Sequence, residues 1–173
     1  FSPDGKRLAF CSTRSYDAFE VFVSEADGSS PMQLTHGPGP EQCSPTWSPD
    51  GRRIAFDSVK AEDKRCDVYV IDADGGNPRL LTPSPADEMV PLWSRDGRWI
   101  YFASDRTGRH EIWRAPAEGG DAVQITRAGG FAAEESVDGR SLYYVKRESG
   151  SQPLFTLPVN GGDEQQVLDA VVS

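Results

Sequence analysis

His36 and His110 are the only imidazoles that could act as a general base, and no Gly-x-Ser-x-Gly nucleophile turn accompanies them. His110 opens the run His110-Glu-Ile-Trp-Arg114, which lacks the second histidine of a zinc-protease helix and carries a strand pattern. It reads as a filler at a strand end. No P-loop or dinucleotide fingerprint occurs, because the glycine pairs fall in hairpins and not ahead of helices. Cys11, Cys43 and Cys66 form no Cys-x-x-Cys pair, so a cysteine zinc site is unsupported, while one bridge among them stays open. Asp72-Ala-Asp-Gly-Gly-Asn77 has the acids of a calcium loop but neither its sixth-position glycine nor its distal glutamate. The same run returns as Glu25-Ala-Asp-Gly28, which points to turn chemistry. The expectation is a segment with no catalytic residues, no metal and no cofactor.

Acids at repeated places are the better candidates. Glu41 and Asp87 each stand six residues before a tryptophan, Trp47 and Trp93, with Gln42 and Glu88 beside them. Glu134 lies just before the corresponding position of a later copy. Like charges gathered at a concave mouth raise the local concentration of cations. Glu41, Gln42, Asp87, Glu88 and Glu134 are therefore expected to receive a basic peptide or cationic group; the plainer reading is a set of solvated loops.

The chain that must position these residues has 173 residues, 37% hydrophobic and 26% charged, enough for one domain with its own core. Its 17 Gly and 13 Pro argue against a helical bundle and for short strands joined by tight turns. Lys and Arg total 18 against 27 Asp and Glu, a net charge of −9 without a basic cluster, which argues against nucleic-acid binding. No apolar run approaches the roughly 20 residues that span a bilayer.

Self-comparison supplies the organising signal. Phe1-Ser-Pro-Asp-Gly-Lys-Arg-Leu-Ala-Phe10 returns as Trp47-Ser-Pro-Asp-Gly-Arg-Arg-Ile-Ala-Phe56 and as Trp93-Ser-Arg-Asp-Gly-Arg-Trp-Ile-Tyr-Phe102. A weaker copy runs Glu135-Ser-Val-Asp-Gly-Arg-Ser-Leu-Tyr-Tyr144. Gly5, Gly51, Gly97 and Gly139 are thus 46, 46 and 42 residues apart. A second block follows each: Phe19-Glu-Val-Phe-Val23, Cys66-Asp-Val-Tyr-Val70, His110-Glu-Ile-Trp-Arg114 and Pro153-Leu-Phe-Thr-Leu157.

Inside each unit the apolar period is two: Ile54 and Phe56 face one way, Ala55 and Asp57 the other, and Val68 and Val70 oppose Tyr69. Four strands per unit follow. Strand a ends at the Trp, b follows Asp-Gly, c is the Val-aromatic-Val run, and d ends in Leu-Thr. Asp-Gly and Gly-Gly supply the positive φ of tight turns, and Asp4, Asp50, Asp96 and Asp138 can accept backbone N–H bonds within them. Strands apolar on both faces need cover on both sides. Antiparallel four-stranded sheets of about 45 residues, stacked around an axis, meet that need as blades of an all-β propeller.

These residues resemble the TolB-like β-propeller repeats, typified by Trp-Ser-Pro-Asp-Gly. The match is fullest in the second copy (Trp47-Ser-Pro-Asp-Gly51, Tyr69-Val-Ile-Asp72, Leu81-Thr82) and weakest in the fourth, where Glu135 replaces Trp, Val137 replaces Pro and Thr156 is read in place of the aromatic. The blades are read as approximately 1–35, 36–82, 83–126 and 127–169, the first one incomplete. Such propellers usually have six or more blades. The expectation is therefore part of a larger propeller, or two copies that complete a ring. The resemblance implies a non-enzymatic module that binds a protein or peptide, in a periplasmic or other extracytoplasmic setting. The alternatives it leaves are the substrate-gating propeller of a serine peptidase of prolyl oligopeptidase or tricorn type, and the sensor domain of a bacterial regulator.

Overall fold

The computed structural model describes residues 1–14, 18–36, 41–61, 64–148 and 150–171. Its strands form four separate antiparallel sheets. The first holds β1 (Arg7–Ser12), β2 (Glu20–Glu25) and β3 (Met32–Gln33). The second holds β4 (Glu41–Trp47), β5 (Arg53–Val59), β6 (Cys66–Asp72) and β7 (Arg79–Leu80). The third runs through β8 (Glu88–Trp93), β9 (Trp99–Ser104), β10 (Glu111–Pro116) and β11 (Val123–Gln124). The fourth contains β12 (Phe131–Glu135), β13 (Ser141–Val145), β14 (Gln152–Pro158) and β15 (Gln165–Val171). Every sheet is an up-and-down meander in chain order, the pattern of a propeller blade.

The turn into each b strand is built identically four times. Ser2, Ser48, Ser94 and Ser136 donate their hydroxyls to Asp4, Asp50, Asp96 and Asp138 at 2.6–2.7 Å. Each carboxylate also accepts the N–H two residues on, from Lys6, Arg52, Arg98 and Arg140, at 3.0–3.1 Å. The serine oxygens then accept the N–H of Arg7, Arg53, Trp99 and Ser141 at 2.9 Å, which closes the turn onto the strand. Gly5, Gly51, Gly97 and Gly139 sit at φ between 68° and 72°, a left-handed conformation that glycine adopts without a Cβ penalty.

Alternation along the strands gives each blade two apolar faces. Ile54, Phe56 and Tyr69 pack back onto Val21, Val23 and Leu34 of the first blade. Ala55, Val68, Val70 and Leu81 pack forward onto Trp93, Ile100 and Phe102 of the third. Tyr101, Ile112 and Ile125 meet Leu142, Tyr144 and Leu157 of the fourth. Arginine seals the first two junctions: the Arg7 guanidinium lies 4.8 Å from the Trp47 ring and Arg53 lies 4.9 Å from Trp93. The same arginines pair with Asp74 at 3.1 Å and Glu118 at 2.7 Å on the next blade.

Register corrects one alignment. Phe10 pairs with Phe22 and Phe56 with Tyr69, so Tyr144 marks the fourth copy's equivalent, and its partner is Phe155, not Thr156. The two rings stack 6.0 Å apart, as Phe56 and Tyr69 do at 5.8 Å. The fourth blade therefore keeps its aromatic. Gln152, not Pro153, matches His110.

The innermost strands share a bulge that the sequence pattern did not announce. β4, β8 and β12 each break register around a non-glycine residue of positive φ: Ser44 at 50°, Val90 at 53° and Ala132 at 43°. Asp57 of the second blade accepts the Val90 N–H at 2.9 Å, tying β5 to the bulge in β8. Cys11 occupies the Asp57 position of the first blade. Its sulfur is disulfide-bonded to Cys43 beside the β4 bulge, across a sequence separation of 32. Junction one is thus covalent where junction two is hydrogen-bonded. Cys66 is free, and burial first, then the charges of Asp57 and Asp87, push its thiol up to about 12, which leaves it protonated.

Candidate functional site

The innermost strands begin at one end of the stack and finish at the other, in Trp47, Trp93 and Glu135. Gln42 pairs with Ser58 and Glu88 with Ser104, so Glu41 and Asp87 are equivalent, as are Gln42 and Glu88. That equivalence follows the expected spacing. Orientation does not: the side chains of Gln42 and Glu88 are 0% exposed and turn into the blade bodies rather than toward the mouth. Glu88 accepts the Thr82 hydroxyl at 2.8 Å and pairs with Arg106, whose guanidinium covers the Trp113 ring at 4.5 Å. Burial pushes the Glu88 carboxyl up, and Thr82 and Arg106 oppose that push. Asp87 is half-buried and accepts the Cys66 N–H at 2.7 Å, while its own N–H donates to Asp105 at 2.9 Å. Glu41 is exposed at the head of β4. Glu134 is also exposed, but register matches it to Thr46 and Leu92, near the opposite end of the inner strands. The β4 bulge absorbs one residue, so four residues of β5 (Val59 to Ala55) at about 3.3 Å each set the two acids' levels roughly 13 Å apart. Glu134 thus stands below Glu41 along the inner strands. Residues 37–40, which precede Glu41 in the sequence, lie outside the described residues.

Glu134 opens onto a cleft of about 530 Å³ between the inner-strand ends, walled by Trp47, Trp93, Leu92, Pro3 and Pro49, with Arg95 and Glu135 also in its lining. The indole nitrogens of Trp47 and Trp93 have no hydrogen-bond partner. A second set of buried acids also repeats in the sequence: Glu20 and Glu111 open c strands, Asp67 stands second in β6, and Thr35, Thr82 and Thr126 each lie two residues past a short d strand. Thr35 donates to Glu20 at 2.5 Å and Thr126 to Glu111 at 2.6 Å. Thr35 accepts the Val21 N–H at 2.9 Å and Thr126 that of Ile112 at 2.8 Å. These relays satisfy polar groups at the blade edge and hold the short d strands in place. Among the described residues, no group of three or more His, Cys, Asp or Glu is placed to hold a metal ion. No described helix is long and apolar enough to cross a membrane.

The profile of the TolB beta propeller domain matches residues 42–172. The chain belongs to the TolB β-propeller family. A solved structure assigned as TolB of Agrobacterium tumefaciens superposes with a TM-score of 0.87 at 25% identity, over 98% of this chain and 65% of that one. TolB of Acinetobacter baumannii gives 0.75 at 22% identity, over 93% of this chain and 41% of that one. Puromycin hydrolase shares the fold, with a TM-score of 0.68 at 20% identity over 86% of this chain and 26% of that one. An uncharacterized protein of Agrobacterium fabrum is 29% identical over 126 residues, 73% of this chain and 27% of its own length. The TolB-type segment therefore spans less than two thirds of these relatives.

Proposed function

We propose that this TolB-type propeller is a non-enzymatic module that binds an extended segment of a protein partner along its inner strands. The observation that carries the reading is the cleft of about 530 Å³ at their ends, where two tryptophans and two prolines lie beside the exposed Glu134 carboxylate, with Arg95 and Glu135 completing the lining. Glu41 and, in part, Asp87 extend the negative potential along the axis and select a basic partner. Gln42 and Glu88 act behind them, fixing the strands that carry those acids. An extracytoplasmic setting accords with the Cys11–Cys43 bridge, since disulfides persist in oxidising compartments. The test is fluorescence anisotropy with a labelled lysine-rich peptide. Glu134→Gln together with Glu41→Gln should weaken binding and flatten its salt dependence. Affinity that ignores both changes would remove the proposal.

The blade architecture shared with puromycin hydrolase keeps a second reading, a propeller that gates a hydrolase domain on a longer polypeptide. Completion of the ring, by further blades or by a second copy, belongs to the same proposal. Light scattering distinguishes a monomer from a self-completed dimer.

A further inference from the structure

The third blade-to-blade junction breaks a rule that the first two obey. At those junctions an indole from the later blade, Trp47 or Trp93, fills the space above the turn and lies under an arginine from the earlier blade. That arginine then meets a carboxylate on the later blade's c–d turn, Asp74 or Glu118. At the third junction the indole is replaced by Glu135, and the carboxylate by Asn160. Trp99 takes the arginine's strand position, and Arg114 reaches the same place from β10, stacking 4.5 Å over Trp99.

The replacement leaves both space and charge unfilled. Glu135 is buried and turned inward, accepting the Arg95 N–H at 2.6 Å and the Tyr101 hydroxyl at 3.0 Å. A groove of about 460 Å³ opens in front of it and runs between the blades from Tyr101 to the exposed Val137. The matching groove at the first junction, about 420 Å³, is lined by residues of the two turns and by Arg7, whose guanidinium is already paired with Asp74. Arg114 donates to neutral acceptors, Val159 O at 2.9 Å and Asn160 Oδ1 at 3.3 Å, and also interacts with the Tyr101 hydroxyl, while its Nε–H has no partner. The Arg95 guanidinium also bonds carbonyl oxygens, those of Ser136 and Glu135. The acids at the mouth are already engaged: Asp96 with Arg98 and Ser94, Asp138 with Ser136 and the Arg140 N–H. Two guanidiniums without a carboxylate partner among the described residues thus line one groove of a chain whose net charge is −9.

We propose that this groove binds an aryl carboxylate, its ring taking the place of the missing indole and its carboxylate that of Asp74 and Glu118. The group comes either as a free small molecule or as the C-terminal aromatic residue of a peptide. Both present the same chemistry: a flat apolar ring against Trp99 and Val137, and an anion to Arg114 in charge-assisted hydrogen bonds.

The test titrates the ¹⁵N-labelled protein with N-acetyl-tryptophan, with N-acetyl-tryptophanamide, and with a short peptide ending in tryptophan with a free carboxylate. The acid should give saturable shifts at Gly139, Asn160 and Trp99, and the amide should bind at least about tenfold more weakly. A peptide that outbinds the acid assigns the site to a protein C-terminus; the reverse order assigns it to a free small molecule. Glu135→Trp, which restores the chain's own plug, should abolish binding. Asn160→Asp, a surface change that leaves the packing alone, should weaken it at least about tenfold by giving Arg114 its own counter-ion. Equal binding of acid and amide, no saturable shift at millimolar ligand, or unchanged affinity in Asn160→Asp would overturn the proposal.

Discussion

Trp93→Ala probes the packing between blades where it is densest. The Trp93 ring is 4% exposed and packs among Ala55, Val70 and Ile100, with Arg53 across its face. Its indole N–H bonds to nothing, so truncation costs packing and not a hydrogen bond. Arg53 keeps its ion pair with the exposed Glu118, so the truncation removes the ring and not that pair. Removing a buried Trp or Phe costs about 3–5 kcal/mol, mostly from lost transfer energy and the cavity left behind. For a chain of this length each kcal/mol lowers Tm by about 2–4 °C, which gives a drop of roughly 6–20 °C. Phe1 holds the equivalent repeat position but is 76% exposed, so Phe1→Ala should cost less than about 0.5 kcal/mol. Differential scanning calorimetry of the two variants beside the parent decides the matter. Equal shifts for Trp93→Ala and Phe1→Ala would refute the claim that these indoles plug junctions between blades.

Other outcomes follow from the same geometry. The serine hydroxyls, then backbone N–H groups, hold Asp4, Asp50 and Asp138 below the usual carboxylate range; for Asp96 burial pushes upward, but the Arg98 N–H and Ser94 hydroxyl bring it below as well. A folded pKa below the unfolded one stabilises above about pH 4 and is lost as pH falls, so urea midpoints should fall from pH 4 downward. Ser48→Ala should shrink that pH dependence, which midpoints at pH 6 and pH 3 would show. Reduction of Cys11–Cys43 should cost about 3–4 kcal/mol by the loop-entropy relation for a separation of 32, read as a lower Tm with a reducing agent, and the Cys11→Ser/Cys43→Ser variant should match it without one. Gly130→Ala would set a Cβ 2.5 Å from Thr126 Oγ1 and 2.9 Å from the Ile112 N, so it should destabilise by about 1–3 kcal/mol in urea melts, whereas Gly150→Ala, with open space around its Cβ, pays only the cost of its positive φ.

Much of the fold was legible because it is written several times. Strand order, the Ser-x-Asp-Gly turns and the two-faced strands follow from a 46-residue period and a period of two, both local properties of the chain. Phe155 as the fourth copy's aromatic follows from its pairing with Tyr144, and the sequence carries the same register in the six-residue spacing from Tyr69 to Gly75, Trp113 to Gly119 and Phe155 to Gly161. The bulges at Ser44, Val90 and Ala132 left no signal, since none is a glycine and their conformation is imposed by bonds from neighbouring strands such as Asp57 to Val90. Site residues fared worse for the same reason. The spacing of Glu41 with Asp87 and Gln42 with Glu88 showed equivalence, but a shift of one residue along a strand reverses facing, which is how Glu88 came to be buried against Thr82 and Arg106. Glu135 stood out only as a departure from the repeat. What that departure opens depends on Trp99, Arg114 and Asn160, which are distant in sequence from one another.

Nuclear Overhauser contacts between the Ala55 methyl of the second blade and the Trp93 and Phe102 ring protons of the third test face-to-face stacking most directly. They should be present, together with contacts from Val21 to Phe56 and from Tyr101 to Leu142 at the flanking junctions. Sheets whose Ala55 and Val70 methyls meet only residues of their own blade would contradict the radial arrangement, and with it both proposed sites.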